Sequence, residues 1–251
     1  MKTGACKLCG CVAMLVKSHS IPRRFFKEIK GGAQHAVFYN GSITAEREAT
    51  YLQAGIYDDD MLCQNCEAKF SEWDRYGGDV LDSPCLDNSL HDHDHRAYRL
   101  DCDTDKLRRF ILSVIWRASI SRHPFYSYVS LGPYEDKIKE RVFNPAPLTP
   151  DEFPIVILHF NQADFGDHSQ WLFPPLRERR PDGLNIRTLY LMNLKILIHI
   201  DKRATAYTVG PFVIRQPDHF LMLELPTKIM REHEFMPAMQ RRRLAMQVLA
   251  S

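Results

Sequence analysis

Four cysteines fall into two C-x-x-C pairs, Cys6-Lys7-Leu8-Cys9 and Cys63-Gln64-Asn65-Cys66. Each pair bends the backbone so that two sulfurs converge on one point, and two such pairs make a tetrahedral four-thiolate site for Zn²⁺. A four-cysteine site is closed and leaves the metal no position for substrate. The zinc therefore argues for shape, and any chemistry has to come from neighbouring side chains. The gap from Cys9 to Cys63 is too long for a compact zinc finger and leaves room for a β-hairpin and an insertion. A disulfide framework is the alternative, but the chain has no secretory features to accompany it. Cys11 extends the first pair to C-x-x-C-x-C and is a possible substitute ligand.

The neighbours are Ser18-His19-Ser20-Ile21-Pro22 after the first pair and Glu67 directly after the second. The order C-x-x-C, hydrophobic residues, Ser-His-x-Ile-Pro, then Leu-Cys-x-x-Cys-Glu opening a helix resembles the HNH endonuclease family. It is also similar to uncharacterised HNH-like bacterial and phage proteins of comparable size. The resemblance covers about the first 78 residues. It implies a ββα-metal core braced by a treble-clef zinc site. It further implies that His19 is the general base that activates a water, and that Glu67 helps hold one divalent metal against the scissile phosphate. Asp58 lies near the family's central asparagine position, five residues before Cys63.

The chain departs from the family pattern at three places. Ser18 stands where the family has Asp or His as a second metal ligand, and a serine is a poor ligand for Mg²⁺. The central asparagine is replaced by the run Asp58-Asp59-Asp60, and the last position is Glu rather than His or Asn. Carboxylates are good ligands for hard cations, so Glu67 with Asp58 or Asp60 is a candidate site for Mg²⁺ or Mn²⁺. The plainer readings stand beside these. Glu67 at a helix start is favoured by the helix dipole without any metal, and His19 can be a structural histidine. Arg23, Arg24 and Lys27 interleave with Phe25 and Phe26, as a phosphate-binding face requires; a half-buried turn with solvated charges reads the same way.

Composition narrows the class. The chain has 251 residues, 45% hydrophobic and 25% charged, with a formal net charge of +2. That is ordinary for a globular protein and lacks the basic bias of a DNA-coating one, so any basic surface is local. Seven cysteines, an odd number, suit a reducing cytosol. No signal peptide is expected, because Val12 to Val16 is the longest apolar stretch near the start. No apolar run approaches the roughly 20 residues that cross a membrane. A cytoplasmic protein with no membrane partner is expected.

Positioning these groups takes a short strand at Val12–Val16, a hairpin or irregular insertion within 33–57, and a helix over Cys63–Tyr76 closed by Gly77-Gly78. We read 1–78 as the zinc module, 79–102 as an acidic, His-rich loop, and 103–251 as an α+β region. In the loop, His91, His93 and His95 share one face if the run is a single extended strand. Asp103-Thr104 caps the best helix of the chain, with Leu107, Phe110, Ile111, Val114, Ile115 and Ala118 at helical spacing and Trp116 and Arg117 bordering that face. A second helix starts at Pro133. After the prolines at 145–154 the pattern turns to strands at Ile155–Phe160, Leu189–Ile200, Thr205–Ile214 and Phe220–Leu225, with a polar loop over Asp164–Asp182 and a closing helix from Thr227 that carries Arg241-Arg242-Arg243. The expected class is α+β: a treble-clef/ββα-metal-like zinc module, a helical segment, an antiparallel β-rich region and a C-terminal helix.

The function expected from these residues is a metal-dependent HNH-type endonuclease that hydrolyses phosphodiester bonds of nucleic acid, with DNA the expected substrate, in phage or mobile-element conflict. The alternative is a catalytically inactive, zinc-braced module that binds nucleic acid or protein. The C-terminal region is the expected surface for a protein partner or a second copy.

Overall fold

The computed structural model describes residues 2–29, 36–39, 49–52, 55–81, 89–92, 95–160, 174–179, 183–201, 203 and 207–225. Three antiparallel strands open the chain: β1 (Thr3–Ala5), β2 (Val12–His19) and β5 (Tyr57–Cys63), in the order β1-β2-β5. The expected strand at Val12 is therefore longer than its apolar run and carries Ser18 and His19 at its end. A bulge between Val16 and Ser18 shifts the register, so that Ser18 faces Asp58 and His19 faces Tyr57 across the pair. Pro22 precedes α1 (Arg23–Ile29). The insertion contains a hairpin, β3 (Ala36–Tyr39) with β4 (Ala49–Leu52); the rest of it lies outside the described residues.

Helix α2 (Gln64–Leu81) starts directly after β5. Gly77 and Gly78 do not close it, as expected from sequence, but lie inside it. A Cβ on Gly77 would sit 2.1 Å from Phe110 Cδ1, and one on Gly78 2.3 Å from Arg24 Cδ. The two glycines are there because neighbours approach the helix closely, not because the helix ends. The neighbour of Gly77 is α3 (Thr104–Ile120), capped by Asp103, whose carboxylate accepts from the Lys106 N–H at 3.1 Å. This is the predicted capped helix, and it is central to the packing. Its apolar stripe is buried, and so are Arg108, Arg109 and Arg117. Arg108 and Arg109 donate to backbone carbonyls between residues 142 and 152 and so fasten the proline-rich stretch to the helix. A short 3₁₀ turn at Gly132–Tyr134 leads into α4 (Glu135–Phe143), the second predicted helix.

The remaining strands form one seven-stranded sheet: β6 (Ser89–Asp92), β7 (His95–Asp101), β8 (Ile155–Phe160), β9 (Leu176–Arg179), β10 (Asn185–Leu191), β11 (Leu194–His199) and β12 (His219–Leu225), in the order β6-β7-β12-β8-β11-β10-β9. Every described pairing is antiparallel except β12 with β8. The segment 189–200, expected as one strand, is the end of β10, a turn at Met192-Asn193 and β11. Met192 turns the chain at a φ of 53°, without the glycine that would have marked the turn. Within the expected strand Thr205–Ile214, the described residues Tyr207–Phe212 form a 3₁₀ turn, and Val213 alone bridges to Val156. Gly210-Pro211 explains this, since proline has no N–H for a ladder. The 79–102 segment, expected as a loop, carries two paired strands, with His91 opposite Arg96 and Asp92 opposite His95. His93 and Asp94, Cys85, most of the 164–182 loop, and the expected helix from Thr227 lie outside the described residues.

One cluster of buried side chains runs from Cys6, Leu15 and Phe25 through Phe70, Phe110 and Trp116 to Ile157, Ile196 and Met222. The zinc-side sheet and the large sheet thus share a core, joined by α2 and α3. Among the described residues no helix is long and apolar enough to cross a membrane.

Candidate metal centre and the buried arginine beside it

The two C-x-x-C pairs meet. Cys6 leaves β1 and enters a tight turn in which the Gly10 N–H donates to the Cys6 carbonyl at 2.8 Å and the Cys6 N–H to the Cys11 carbonyl at 3.0 Å. Gly10 has a φ of 76°, a conformation that glycine adopts without strain. The Lys7 N–H donates to the Met61 carbonyl at 2.9 Å, which pins this knuckle to β5. Cys63 closes β5, and Cys66 lies in the first turn of α2. All four Sγ atoms lie within 4.8 Å of one another, and Cys9 and Cys63 are 4.0 Å apart. Sulfurs about 2.3 Å from a zinc ion at tetrahedral angles are about 3.8 Å apart, so the donor set fits a metal ion such as Zn²⁺.

The local electrostatics fit as well. Burial pushes the Cys6 thiol up, but the backbone N–H groups of Cys9, Cys63 and Leu8 outweigh it and bring it down to about 6. The Cys63 N–H reaches Cys6 Sγ at 3.4 Å. Cys66 is pushed up, first by burial and then by the sulfurs around it; a cation held by the four cysteines would supply the charge that lets them ionise. Cys11 is exposed, its Sγ 3.9 Å from the Cys9 carbonyl, and is not part of the cluster. Cys102 stands apart, and burial pushes it up to about 12.

The second candidate group is arranged differently. His19 ends β2, half-buried, with its ring 5.8 Å from that of Tyr57. Its carbonyl accepts from Arg117 Nη1 at 2.8 Å. Glu67 lies mostly buried in the first turn of α2, and its Oε2 has no hydrogen-bond partner. Burial raises its pKa; the Arg117 charge and the Ser18 hydroxyl oppose that, and Asp74 adds to it. Arg117 is wholly buried, forks onto Asp74 at 2.8 and 2.5 Å, and stacks 4.7 Å from the Phe70 ring. One guanidinium from α3 therefore serves the Asp74 and Glu67 carboxylates and the His19 carbonyl together.

The aspartates lead elsewhere. Asp58 accepts from Ser121 Oγ at 2.5 Å and from the Arg122 N–H at 3.2 Å, so it is tied to the chain just beyond α3. Asp60 pairs with Arg122 at 3.0 Å, and Asp59 with Lys2 at 2.9 Å. Among the described residues, the four cysteines are the one group of three or more His, Cys, Asp or Glu side chains whose ligand atoms converge. Glu67, Asp58 and Asp60 do not come together as the oxygen cage that Mg²⁺ or Mn²⁺ requires. Of the basic residues expected at a phosphate face, Arg23 is exposed at the start of α1, while Arg24 is held by Asp79 at 2.6 Å and the Arg75 carbonyl at 3.3 Å. Lys27 lies in α1, its side chain outside the described residues.

Arg117 and Asp74 carry no role in the motif reading. Their signal is present all the same: Arg117 borders the apolar stripe of a helix, where a cation needs a buried acid, and Asp74 follows Trp73 on the helix that the second cysteine pair opens. No protein-family model matches the chain, and no curated protein or solved structure matches it either.

Proposed function

We propose that this chain is a nucleic-acid-directed protein on an HNH-like frame with a treble-clef zinc site, and that its role is binding without cleavage. The observation that carries this reading is Arg117. Its guanidinium pairs with Asp74 and donates to the His19 carbonyl, and its charge acts on Glu67, so a fixed positive charge lies near the place where the resemblance implies a divalent cation. Zn²⁺ on Cys6, Cys9, Cys63 and Cys66 would hold β5 and α2 at their junction. Arg23, exposed four residues after His19, supports nucleic acid as the partner.

A second reading, the metal-dependent endonuclease, is favoured by two observations. The element order β2, β5, α2 sets His19 at a strand end and Glu67 at the helix start, and Glu67 Oε2 lacks a hydrogen-bond partner. One experiment separates the readings. Zinc-loaded protein is titrated into a labelled DNA duplex by fluorescence anisotropy at two salt concentrations, and the same preparation is assayed for plasmid nicking with Mg²⁺ and Mn²⁺ beside His19→Ala. Salt-sensitive binding that Arg23→Ala weakens, with no nicking, is the expected result. Nicking that disappears in His19→Ala replaces this reading with the endonuclease, and absence of both binding and nicking rejects the two together.

A further inference from the structure

Among the described residues, two buried arginines meet acids: Arg109 has Asp105 and Arg117 has Asp74. A third, Arg108, gives its Nη atoms to three backbone carbonyls. Arg187, on β10, differs from all three. It is 5% exposed. Its Nη1 donates to Asn185 Oδ1 at 3.1 Å, its Nη2 donates to the Ser130 carbonyl, and its buried Nε has no partner. None of those acceptors carries a charge. The residue directly opposite on β9 is Arg177, a second guanidinium. Among the described residues neither pairs with a carboxylate. Like charges opposite each other destabilise a strand pair, and a buried cation without a counter-charge is costly. Burial first, and the Arg177 charge second, pull Arg187 down to about 10.

Both arginines line one pocket of ≈ 220 Å³, walled by the turn from Tyr128 to Tyr134 and by Pro175 and Asn185. We propose that this pocket is an anion site that takes the phosphate group of a phosphorylated small molecule or nucleic-acid end, held between Arg187 and Arg177. A phosphate monoester is a dianion, and its tetrahedral oxygens can accept from the exposed fork of Arg177 while its charge offsets that of Arg187 beside it. A monocarboxylate offsets one charge of the two. The volume is below that of a drug-sized site and suits the phosphate with a small part of its carrier. The site does not depend on the zinc end of the molecule or on the role proposed for it.

The test is calorimetric titration of the full zinc-loaded chain at constant ionic strength, with inorganic phosphate, adenosine 5′-monophosphate, a short 5′-phosphorylated oligonucleotide, its 5′-hydroxyl counterpart, and acetate. Saturable one-to-one binding of at least one phosphate probe, with none of acetate, is expected. Arg177→Ala should weaken it at least tenfold, and Arg187→Met should abolish it. Arg177 is exposed, so its variant decides the matter even where Arg187→Met folds poorly; melting of each unliganded variant establishes its fold. Tightest binding by the monophosphate assigns a free phosphorylated molecule, and a preference for the 5′-phosphorylated oligonucleotide over its 5′-hydroxyl counterpart assigns a nucleic-acid end. No saturable phosphate binding, equal binding of acetate, or an Arg177→Ala variant that binds as wild type overturns the proposal.

Discussion

Arg117 and Arg187 are both almost inaccessible to water, yet their surroundings are opposite. Arg117 forks onto one carboxylate, feels a second, donates to a strand-end carbonyl and lies over a phenylalanine ring. Arg187 donates to an amide oxygen and a carbonyl and faces another arginine across the sheet. Where the acid is internal, the guanidinium is part of the scaffold, and the polar groups around it are committed. At Arg187 no acid pairs with it among the described residues, and the proposed anion would meet that charge.

The comparison can be broken most forcefully from the metal side. Removing zinc with a high-affinity chelator should cost the most, because binding energy at such a site is folding energy and reaches about 10 kcal/mol in isolated zinc modules. Trp116 stacks on Phe70, the ring that Arg117 also covers. Loss of the near-ultraviolet circular dichroism of the tryptophans on chelation, restored by Zn²⁺, is therefore the expected readout. Unchanged dichroism would mean that the cysteines are not what fixes α2 against α3. Next come the two arginines in parallel. Arg117→Ala leaves buried acids without their cation and should lower stability by about 3–5 kcal/mol. Arg187→Met removes two hydrogen bonds to uncharged acceptors but also a like-charge contact, and should cost about 1 kcal/mol in phosphate-free buffer. Urea unfolding of the two variants measures the difference, and equal losses would erase the contrast. Gly77→Ala falls between the two arginine variants. It forces Phe110 aside and loosens α2 from α3 at about 1–3 kcal/mol, and its melting temperature should fall while phosphate binding at Arg187 stays as in wild type.

The legible parts of this fold were those fixed by short-range rules. The C-x-x-C spacing announced the metal cluster, the run from Leu107 to Ala118 announced α3, and Asp103 announced its cap. Glu67 was legible at a helix start because it directly follows Cys66, whereas the strand expected over Val12–Val16 runs on to Ser18 and His19. What could not be read was long-range. Whether Asp58 faces a metal or the end of α3 depends on Ser121 and Arg122, more than sixty residues away. Arg117 reads as the border of a helical stripe until Asp74 is seen beside it. Gly77-Gly78 reads as punctuation until Phe110 presses on it, and Met192-Asn193 makes a turn with none of the usual turn residues at its start. The Arg177–Arg187 pair needs the register of β9 against β10, which no local pattern specifies.

The order of strands in the large sheet has a consequence for how the chain is made. Strand β12, the last one described, lies between β7 and β8. During synthesis from the N-terminus, the β6–β7 hairpin emerges early and then keeps one long edge unpaired. The β8–β11 block also emerges without its inner neighbour, until residues 219–225 leave the ribosome and slot between them. The centre of the sheet is thus the last part to be zipped, over a wide separation in sequence, which makes closure slow. Until then the nascent chain carries two bare strand edges, each able to pair with another chain.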